Sequence, residues 1–237
     1  TGAQEGTGEG TRQGEAGTCG LGGGAKLVVP LAERIPFRVE LARRSSGDLG
    51  TPVGDLANTG SDSWTLGAGT SWVGDRGHIG VSALGHANDY GIPGGFVGGH
   101  DAGVTIESER ASLKAAGEHR PSEGSFSSLS ANASYSYYEP VEFEPPDILG
   151  TRFQRQAAMS NLLARHAKLG PFSLGAFGAR ASWESFQFGG SLFTPDAERL
   201  SVGVFSFEEI DLDPIRVEAG IRYDWTRTEP AYEDPAS

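Results

Sequence analysis

The sequence predicts an all-β protein: an antiparallel up-and-down meander of about nine strands that forms part of a transmembrane β-barrel. Three observations lead to this prediction: a high glycine content, a two-residue period of apolar side chains, and an alternation of short and long connections. Glycine occupies 36 of the 237 positions, about twice its usual share of roughly 7%. Because each glycine inside a helix costs about 0.5–1 kcal/mol relative to alanine, a mostly helical fold is disfavoured.

Residues 1–24 are predicted to form a disordered, glycine-rich tail or linker. They contain almost no large apolar side chains, so they cannot bury enough surface to offset the entropy lost on ordering. The partial β-barrel domain is then expected over residues 25–237. Cys19, in the tail, is the one cysteine of the chain, which excludes an internal disulfide framework and a cysteine-rich zinc site.

Alternating apolar and polar residues mark the strands. The alternation is clearest over residues 35–44, 63–74 and 214–225, and it predicts strands with one apolar and one polar face. Weaker alternation predicts strands within residues 78–85, 104–115, 126–137, 153–165, 172–183 and 200–210. In the last of these, Phe205 and Phe207 are out of phase with Val204, which predicts either a β-bulge or a two-sided strand.

The same alternation predicts which side chains share a face of the sheet, because a register fixes the direction of every second side chain. One face is expected to carry Trp64, Leu66, Ala68, Trp72, Ile215, Val217, Ala219 and Ile221. The opposite face is expected to carry Gly67, Gly69, Arg216 and Arg222.

Short and long connections alternate between these strands. Tight turns are predicted at residues 74–77, 120–124, 168–171 and 212–214, and long polar connections at 45–62, 87–102, 139–150 and 187–199. In a meander, every second connection returns to the same rim, so the long connections should share one rim and Asp75, Ser122 and Asp213 the other. Short turns at one end and long loops at the other are typical of outer-membrane barrels.

The spacing of two tryptophans agrees with a membrane-spanning strand. Trp64 and Trp72 are eight residues apart, about 26 Å along a strand, and they point to the same face. An apolar band with aromatic residues at both ends is what a lipid-facing wall needs. The alternative is a soluble or surface-attached β-sandwich that binds a partner through its long loops, because period two alone does not distinguish a lipid-facing surface from an ordinary core.

Charge and motifs exclude other classes of protein. The net charge of −12 argues against nucleic-acid binding, which needs a basic face. No run of 18 apolar residues occurs, so no transmembrane helix is expected. Because the sequence has no G-x-S-x-G, P-loop or H-E-x-x-H motif, we expect neither an enzyme nor a cofactor, and an outer-membrane hydrolase is the weakest alternative.

Residues that could bind a ligand cluster in the segment HANDYGIPGGFVGGHD. They are His86, Asp89, Tyr90, His100 and Asp101. Imidazole and carboxylate groups suit zinc, but two of each on a mobile loop do not define a tetrahedral site, so no metal ligand is assigned. The alternative is a solvated loop shaped by its glycine and proline residues.

Charged residues of both signs are predicted to line the inside of the wall. Arg216, Glu218, Arg222 and Asp224 have the polar register of the last strand, and Glu107, Glu109, Arg152 and Arg155 are expected to join them from neighbouring strands. Such a lining could contact a plug or a solute path, or keep the inner wall solvated. Glu208 and Glu209 are left unassigned, because the phase of their strand is unclear.

Several ordered blocks of sequence resemble a known family. The blocks are RRSSGDLGTPVGDLANT (43–59), NDYGIPGG (88–95), ILGTRFQRQ (148–156), LLARHAKLGPFSLGAFGARASWESF (162–186), FTPDAERLSVGVFSFEE (193–209) and VEAGIRYDW (217–225). In order and spacing they are similar to TonB-dependent outer-membrane receptors, in the branch that includes zinc- and other metal-linked receptors. The resemblance implies a location in the bacterial outer membrane and uptake of a scarce solute such as a metal or a metal chelate.

The chain departs from this family in its extent. Such receptors resemble barrels of about 22 strands with a plugged lumen, whereas about nine strands and no plug-like sequence are predicted here. We therefore expect a barrel fragment. The resemblance implies contacts with outer-membrane lipid and with a small solute or metal chelate. It also implies a TonB-type energy-coupling system, but only through a plug that this chain lacks.

Overall fold

The computed structural model describes residues 20–95, 101–191 and 194–231, and in these residues all regular structure is β-strand. The strands are β1 (Gly20–Ala32), β2 (Ile35–Ser46), β3 (Leu49–Thr51), β4 (Gly54–Leu56), β5 (Ser61–Gly74), β6 (Gly77–Ile92), β7 (Val104–His119), β8 (Phe126–Glu144), β9 (Ile148–His166), β10 (Leu174–Gly190), β11 (Asp196–Leu212) and β12 (Ile215–Ala231). In this part of the chain, no helix is long and apolar enough to cross a membrane.

Ten of the strands form one antiparallel sheet in the order β1-β2-β5-β6-β7-β8-β9-β10-β11-β12, and β3 and β4 form a small separate hairpin. Each strand of the sheet pairs with the next one along the chain, so the predicted all-β meander is confirmed. β1 and β12 lie at its two edges, so the barrel is not closed by the residues described. One continuous sheet is not two packed sheets, which rules out the β-sandwich architecture.

The sheet begins earlier than the sequence predicted. β1 pairs with β2 from Gly20 onward, so residues 20–24 are strand, although we expected them in the disordered tail. Glycines dominate the start of β1 and carry no side chains, so its alternation is invisible in the sequence. The rest of the predicted tail, including Cys19, lies outside the described residues.

The connections divide between two rims as predicted. Ser61 pairs with Tyr90 at one end of the β5–β6 hairpin, and Gly74 pairs with Gly77 at the other, so Tyr90 and Asp75 lie on opposite rims. We call these the long-connection rim and the short-turn rim. Residues 47–60, which contain β3 and β4, form the predicted long connection between β2 and β5.

Other connections are shorter than predicted, because the strands continue past the apolar pattern. β6 runs to Ile92, so much of the predicted 87–102 connection is strand, and residues 145–147 alone join β8 to β9. The turns at 120–125 and 167–173, on the other rim, are longer than that. The strict alternation of lengths was therefore wrong. The apolar alternation covers only part of each strand, whereas backbone pairing continues beyond it.

The registers confirm the predicted faces. One row of directly paired residues crosses the sheet from β5 to β12: Trp72, Ile79, Gly117, Ala131, Leu162, Ala179, Val204 and Tyr223. Because successive side chains of a strand point to opposite faces, this row also fixes the direction of every other side chain of β5 and β12. Trp64 and Val217 therefore lie on one face, which we call the outer face, and Gly67 and Arg216 lie on the other, the inner face.

For β11 the sequence predicted either a β-bulge or a two-sided strand, and the structure shows a two-sided strand. Its pairing with β10 and β12 has no register shift, so there is no bulge. Val204 lies on the outer face, whereas Phe205 pairs with Gly178 on the inner face. A Cβ at Gly178 would lie 2.0 Å from the Phe205 ring, so this glycine makes room for the ring.

The apolar band crosses the sheet obliquely. On β5, its last apolar residue towards the long-connection rim is Trp64, whereas on β12 it is Trp225, which shares a row with Thr70. The band thus shifts by about 20 Å along the strands over roughly 34 Å of sheet width. The resulting angle of about 30° is close to the strand tilt of membrane barrels.

Candidate functional site

The residues predicted to bind a ligand do not all meet. His86 and Tyr90 lie on the inner face of β6, and Asp89 between them points to the outer face. Asp101 is in the turn before β7, and His100 lies outside the described residues. His86 Nδ1 is 2.9 Å from Thr65 Oγ1. In the described ranges, no three His, Cys, Asp or Glu side chains are grouped to hold a metal ion.

A row of cationic and aromatic side chains follows His86 across the inner face. The pairing runs through five residues that we call the inner row: His86, Arg110, Tyr138, Arg155 and Phe186. It lies towards the long-connection rim. Arg110 is exposed, and no described carboxylate lies within ion-pair distance of it. Its guanidinium is therefore available to a ligand.

Arg155 is held in place by its neighbours. It forms an ion pair with Glu184, which also lies 3.8 Å from Arg199. Its guanidinium lies 5.7 Å from the centre of the Phe186 ring. Phe153 packs close by, with its ring centre 6.1 Å from that of Phe186. The ion pair and the ring contact position Arg155 on the inner face.

The inner row has the chemistry to bind an anionic ligand with planar groups. A guanidinium donates paired hydrogen bonds to a carboxylate or similar anion and stacks on flat rings. Tyr138 adds a hydroxyl and an aromatic surface beside Arg155. Sequence reasoning named Arg155 as part of the lining but missed Arg110 and Tyr138. Both are even-numbered, as are the other inner-face residues of β7 and β8, so the alternation along these strands could have identified them.

The prediction for the charged lining is partly confirmed. Arg216, Glu218, Arg222 and Asp224 share the inner face, and Arg222 binds Asp224 through two hydrogen bonds of 2.5 and 2.6 Å. Arg155 joins them on that face. Glu107, Glu109 and Arg152 lie on the outer face, so their assignment was wrong. Beyond the apolar band both faces are polar, and charge no longer marks the inner one.

The two unassigned glutamates of β11 point in opposite directions. Glu209 is buried on the inner face. Glu208 is on the outer face, where its Oε2 lies 2.9 Å from Nε2 of the buried His166. The pair lies over Gly175, where a Cβ would be 2.3 Å from Glu208 and 2.4 Å from His166. The pairing satisfies a carboxylate that would otherwise face the apolar band.

Asn58 joins the 47–60 connection to strands β6 and β7 at the long-connection rim. Its Nδ2 donates to Ile92 O at 2.8 Å and to Val104 O at 2.9 Å. A Cβ at Gly91 would lie 2.3 Å from Asn58 Oδ1, so glycine is needed there. Val104 is 1% exposed. The 47–60 connection is therefore fixed to the start of β7 and the end of β6.

Asp48 orders the base of the same connection. Its Oδ1 accepts hydrogen bonds from the backbone N–H groups of Thr59 at 2.7 Å and Gly60 at 2.9 Å. These bonds favour the charged carboxylate, so the pKa of Asp48 lies below its usual value, with the Thr59 N–H as the main cause. The rim above the inner row is thus held by backbone–side-chain bonds.

We expect Asn58→Ala to loosen the 47–60 connection without unfolding the sheet, because it removes two hydrogen bonds worth about 1 kcal/mol each. Hydrogen–deuterium exchange should then accelerate in residues 47–60 and stay unchanged in β9 and β10. Asp55→Ala is the matched control, since Asp55 lies in β4 of the same connection. Equal exchange in both variants would contradict the role of Asn58.

Comparison with known proteins gives a consistent result. Residues 41–237 match the family model described as TonB-dependent receptor-like, β-barrel. No curated protein matches the chain.

Two solved structures share its fold. The FrpB iron transporter from Neisseria meningitidis (F3-3 variant) is 14% identical with a TM-score of 0.69, over 90% of this chain and 41% of that one. The alcaligin outer-membrane receptor FauA from Bordetella pertussis is 15% identical with a TM-score of 0.62, over 94% of this chain and 36% of that one. The chain therefore spans less than half the length of either structure.

Proposed function

The chain belongs to the TonB-dependent receptor β-barrel family, and from this membership we propose that it forms part of the wall of a bacterial outer-membrane receptor that takes up a scarce solute such as a metal or a metal chelate. Members of this family are outer-membrane receptors and transporters, not enzymes. Coupling to a TonB-type system would pass through a plug, which is a separate part of such a receptor.

The observation that carries this proposal is the inner row. Its free guanidinium at Arg110, and the aromatic side chains of Tyr138 and Phe186, lie on the polar face towards the long-connection rim. Metal chelates are commonly anionic, so a cationic surface at the entrance would attract and orient them. An iron transporter and an alcaligin receptor share the fold, which supports an iron chelate as the first solute to test.

The residues first considered for ligand binding have a secondary place in this proposal. His86 belongs to the inner row, and Tyr90 lies on the same face closer to the rim. A contribution of His100 and Asp101 from the β6–β7 connection stays a prediction. Asp89 points to the outer face, so we assign it no part in the path of the solute.

Arg110→Ala should weaken binding of an anionic iron chelate by about tenfold or more, because a hydrogen bond to a charged group contributes roughly 1.5–3 kcal/mol. The full receptor would be assayed for uptake of radioactive iron, offered as the anionic chelate ferric citrate, and for binding of the same chelate. Lys114→Ala is the control. Lys114 is also an exposed cation on the inner face of β7, four residues or about 13 Å further from the long-connection rim.

Two outcomes would contradict the proposal. If Arg110→Ala leaves both binding and uptake unchanged, the inner row does not contact the chelate. If Lys114→Ala has the same effect as Arg110→Ala, the loss reflects the overall charge of the inner face and not this row.

A further inference from the structure

We propose that a groove on the outer face binds one phospholipid, with its acyl chains along β7 and β8 and its phosphate at Arg76 and His119. The proposal rests on the membrane placement argued above, but not on which solute is taken up. It concerns the end of the wall furthest from the inner row and from the long connections.

The groove is a hollow of about 930 Å³ in the outer face. Its floor consists of small residues on β7 and β8, namely Ala115, Gly117, Ala131 and Ala133. Ile79 on β6 and Leu162 on β9 form its two sides, in the same row as Gly117 and Ala131. The lining is almost entirely apolar, as an acyl chain requires.

The length of the groove suits one leaflet. Along β7 it extends from Ala115, which pairs with Ala133, to His119 at the end of the strand. These four residue steps span about 13 Å. Half of the hydrocarbon core of a bilayer is about 15 Å thick, so an acyl chain of one leaflet can lie in the groove with its headgroup just beyond the end of β7.

A guanidinium and an imidazole lie where the headgroup would be. Arg76 and His119 line the end of the groove at the short-turn rim. Glu118 also lines this end of the groove, where its charge is paired with the neighbouring Arg120. No carboxylate in the described part of the chain lies within ion-pair distance of Arg76. A free guanidinium at the end of an apolar groove is complementary to a phosphate above an acyl chain.

The position of the groove favours a phospholipid of the leaflet facing the short turns. The short turns of outer-membrane barrels lie on the periplasmic side. A lipid held by Arg76 would then belong to the periplasmic leaflet. A second copy of the chain would fill an apolar groove but would leave the free guanidinium without a phosphate.

The test is native mass spectrometry of the full receptor, purified from its membrane and then titrated with phosphatidylglycerol after delipidation. We expect one retained phospholipid per receptor. Ala131→Trp should fill the groove and weaken retention by about tenfold or more, whereas Val204→Trp, in the same row of the outer face but outside the groove, should not. Arg76→Gln should weaken phosphatidylglycerol binding by about tenfold, and Lys168→Gln, on the same rim, should leave it unchanged.

The results distinguish a bound phospholipid from bound lipopolysaccharide and from a second copy of the chain. Equal retention in Ala131→Trp and Val204→Trp, or no retained phospholipid at all, would overturn the proposal, as would a retained lipopolysaccharide or a dimer in place of the phospholipid. Arg76 lies in a turn, so Arg76→Gln tests the proposal even if Ala131→Trp does not fold. Iron-chelate uptake measured in the same variants should be unaffected, so a failed lipid result leaves the proposed uptake function standing.

Discussion

The isolated chain should aggregate in buffer and disperse in detergent. Its outer face exposes large apolar side chains to solvent, including Leu66 at 56%, Ile79 at 59% and Ile221 at 75%. A membrane supplies lipid for this face, and detergent can replace it. The edge strands β1 and β12 add rows of backbone N–H and C=O groups that can pair with other copies of the chain.

Size-exclusion chromatography with light scattering, run with and without detergent, measures this difference. Material that elutes in the void volume in buffer should shift to a defined protein–detergent complex when the chain is refolded in detergent. A sharp monomer peak in buffer together with a cooperative thermal transition would contradict it, because the outer face would then be covered by protein. Detergent added after aggregation is a poorer test, since paired strand edges can persist.

The strands and their faces could be predicted from the sequence wherever lipid contact imposes a pattern. On β5 and β12, every second residue between Trp64 and Trp72, and between Ile215 and Trp225, is outward-facing and mostly apolar, as the registers confirm. A lipid-facing wall must be apolar on one side over the thickness of the bilayer. Every second residue of each strand is therefore apolar there, which gives the sequence a period of two.

The ends of the strands could not be predicted, because no such requirement applies outside the bilayer. β8 continues from Tyr138 to Glu144 with polar side chains on both faces, so the sequence there looks like a loop. The same ambiguity placed Glu107 and Arg152 on the wrong face. Backbone hydrogen bonds between strands do not require particular side chains. In these strand ends, only the register shows which face each side chain points to.

The inner row was also hard to foresee from one sequence. Its members lie on five consecutive strands of the sheet, from His86 on β6 to Phe186 on β10, and are brought together only by the registers of four strand pairs. A shift of one residue in any pair would move the side chains beyond it to the other face. The sequence suggested the proximity of His86 to His100, which are close along the chain, but not that of Arg110 to Arg155.

The strongest test of which face meets lipid compares two neighbouring positions on β11. Val202→Arg should destabilise the receptor by about 1–2 kcal/mol, because the cost of an arginine on a lipid-facing barrel wall falls from about 2–4 kcal/mol at the midplane towards the edges, and Val202 pairs with Trp225 near one edge of the apolar band. Val202 lies on the outer face in the row of Thr70 and Trp225, inside the apolar band. Neither lipid nor the neighbouring apolar residues can pair with the charge.

Ser201→Arg is the matched control, one residue away and on the opposite face. Ser201 lies opposite Ser182 and accepts a hydrogen bond of 3.0 Å from Thr226 on the inner face, where water or polar groups can solvate a guanidinium. Urea unfolding of the full receptor in phospholipid vesicles would compare both variants with the parent. We expect Ser201→Arg to stay within about 1 kcal/mol of the parent. If the two variants are equally destabilised, or if Ser201→Arg has the lower free energy of unfolding, the outer face is not the one that contacts lipid. The oblique apolar band would then have another cause.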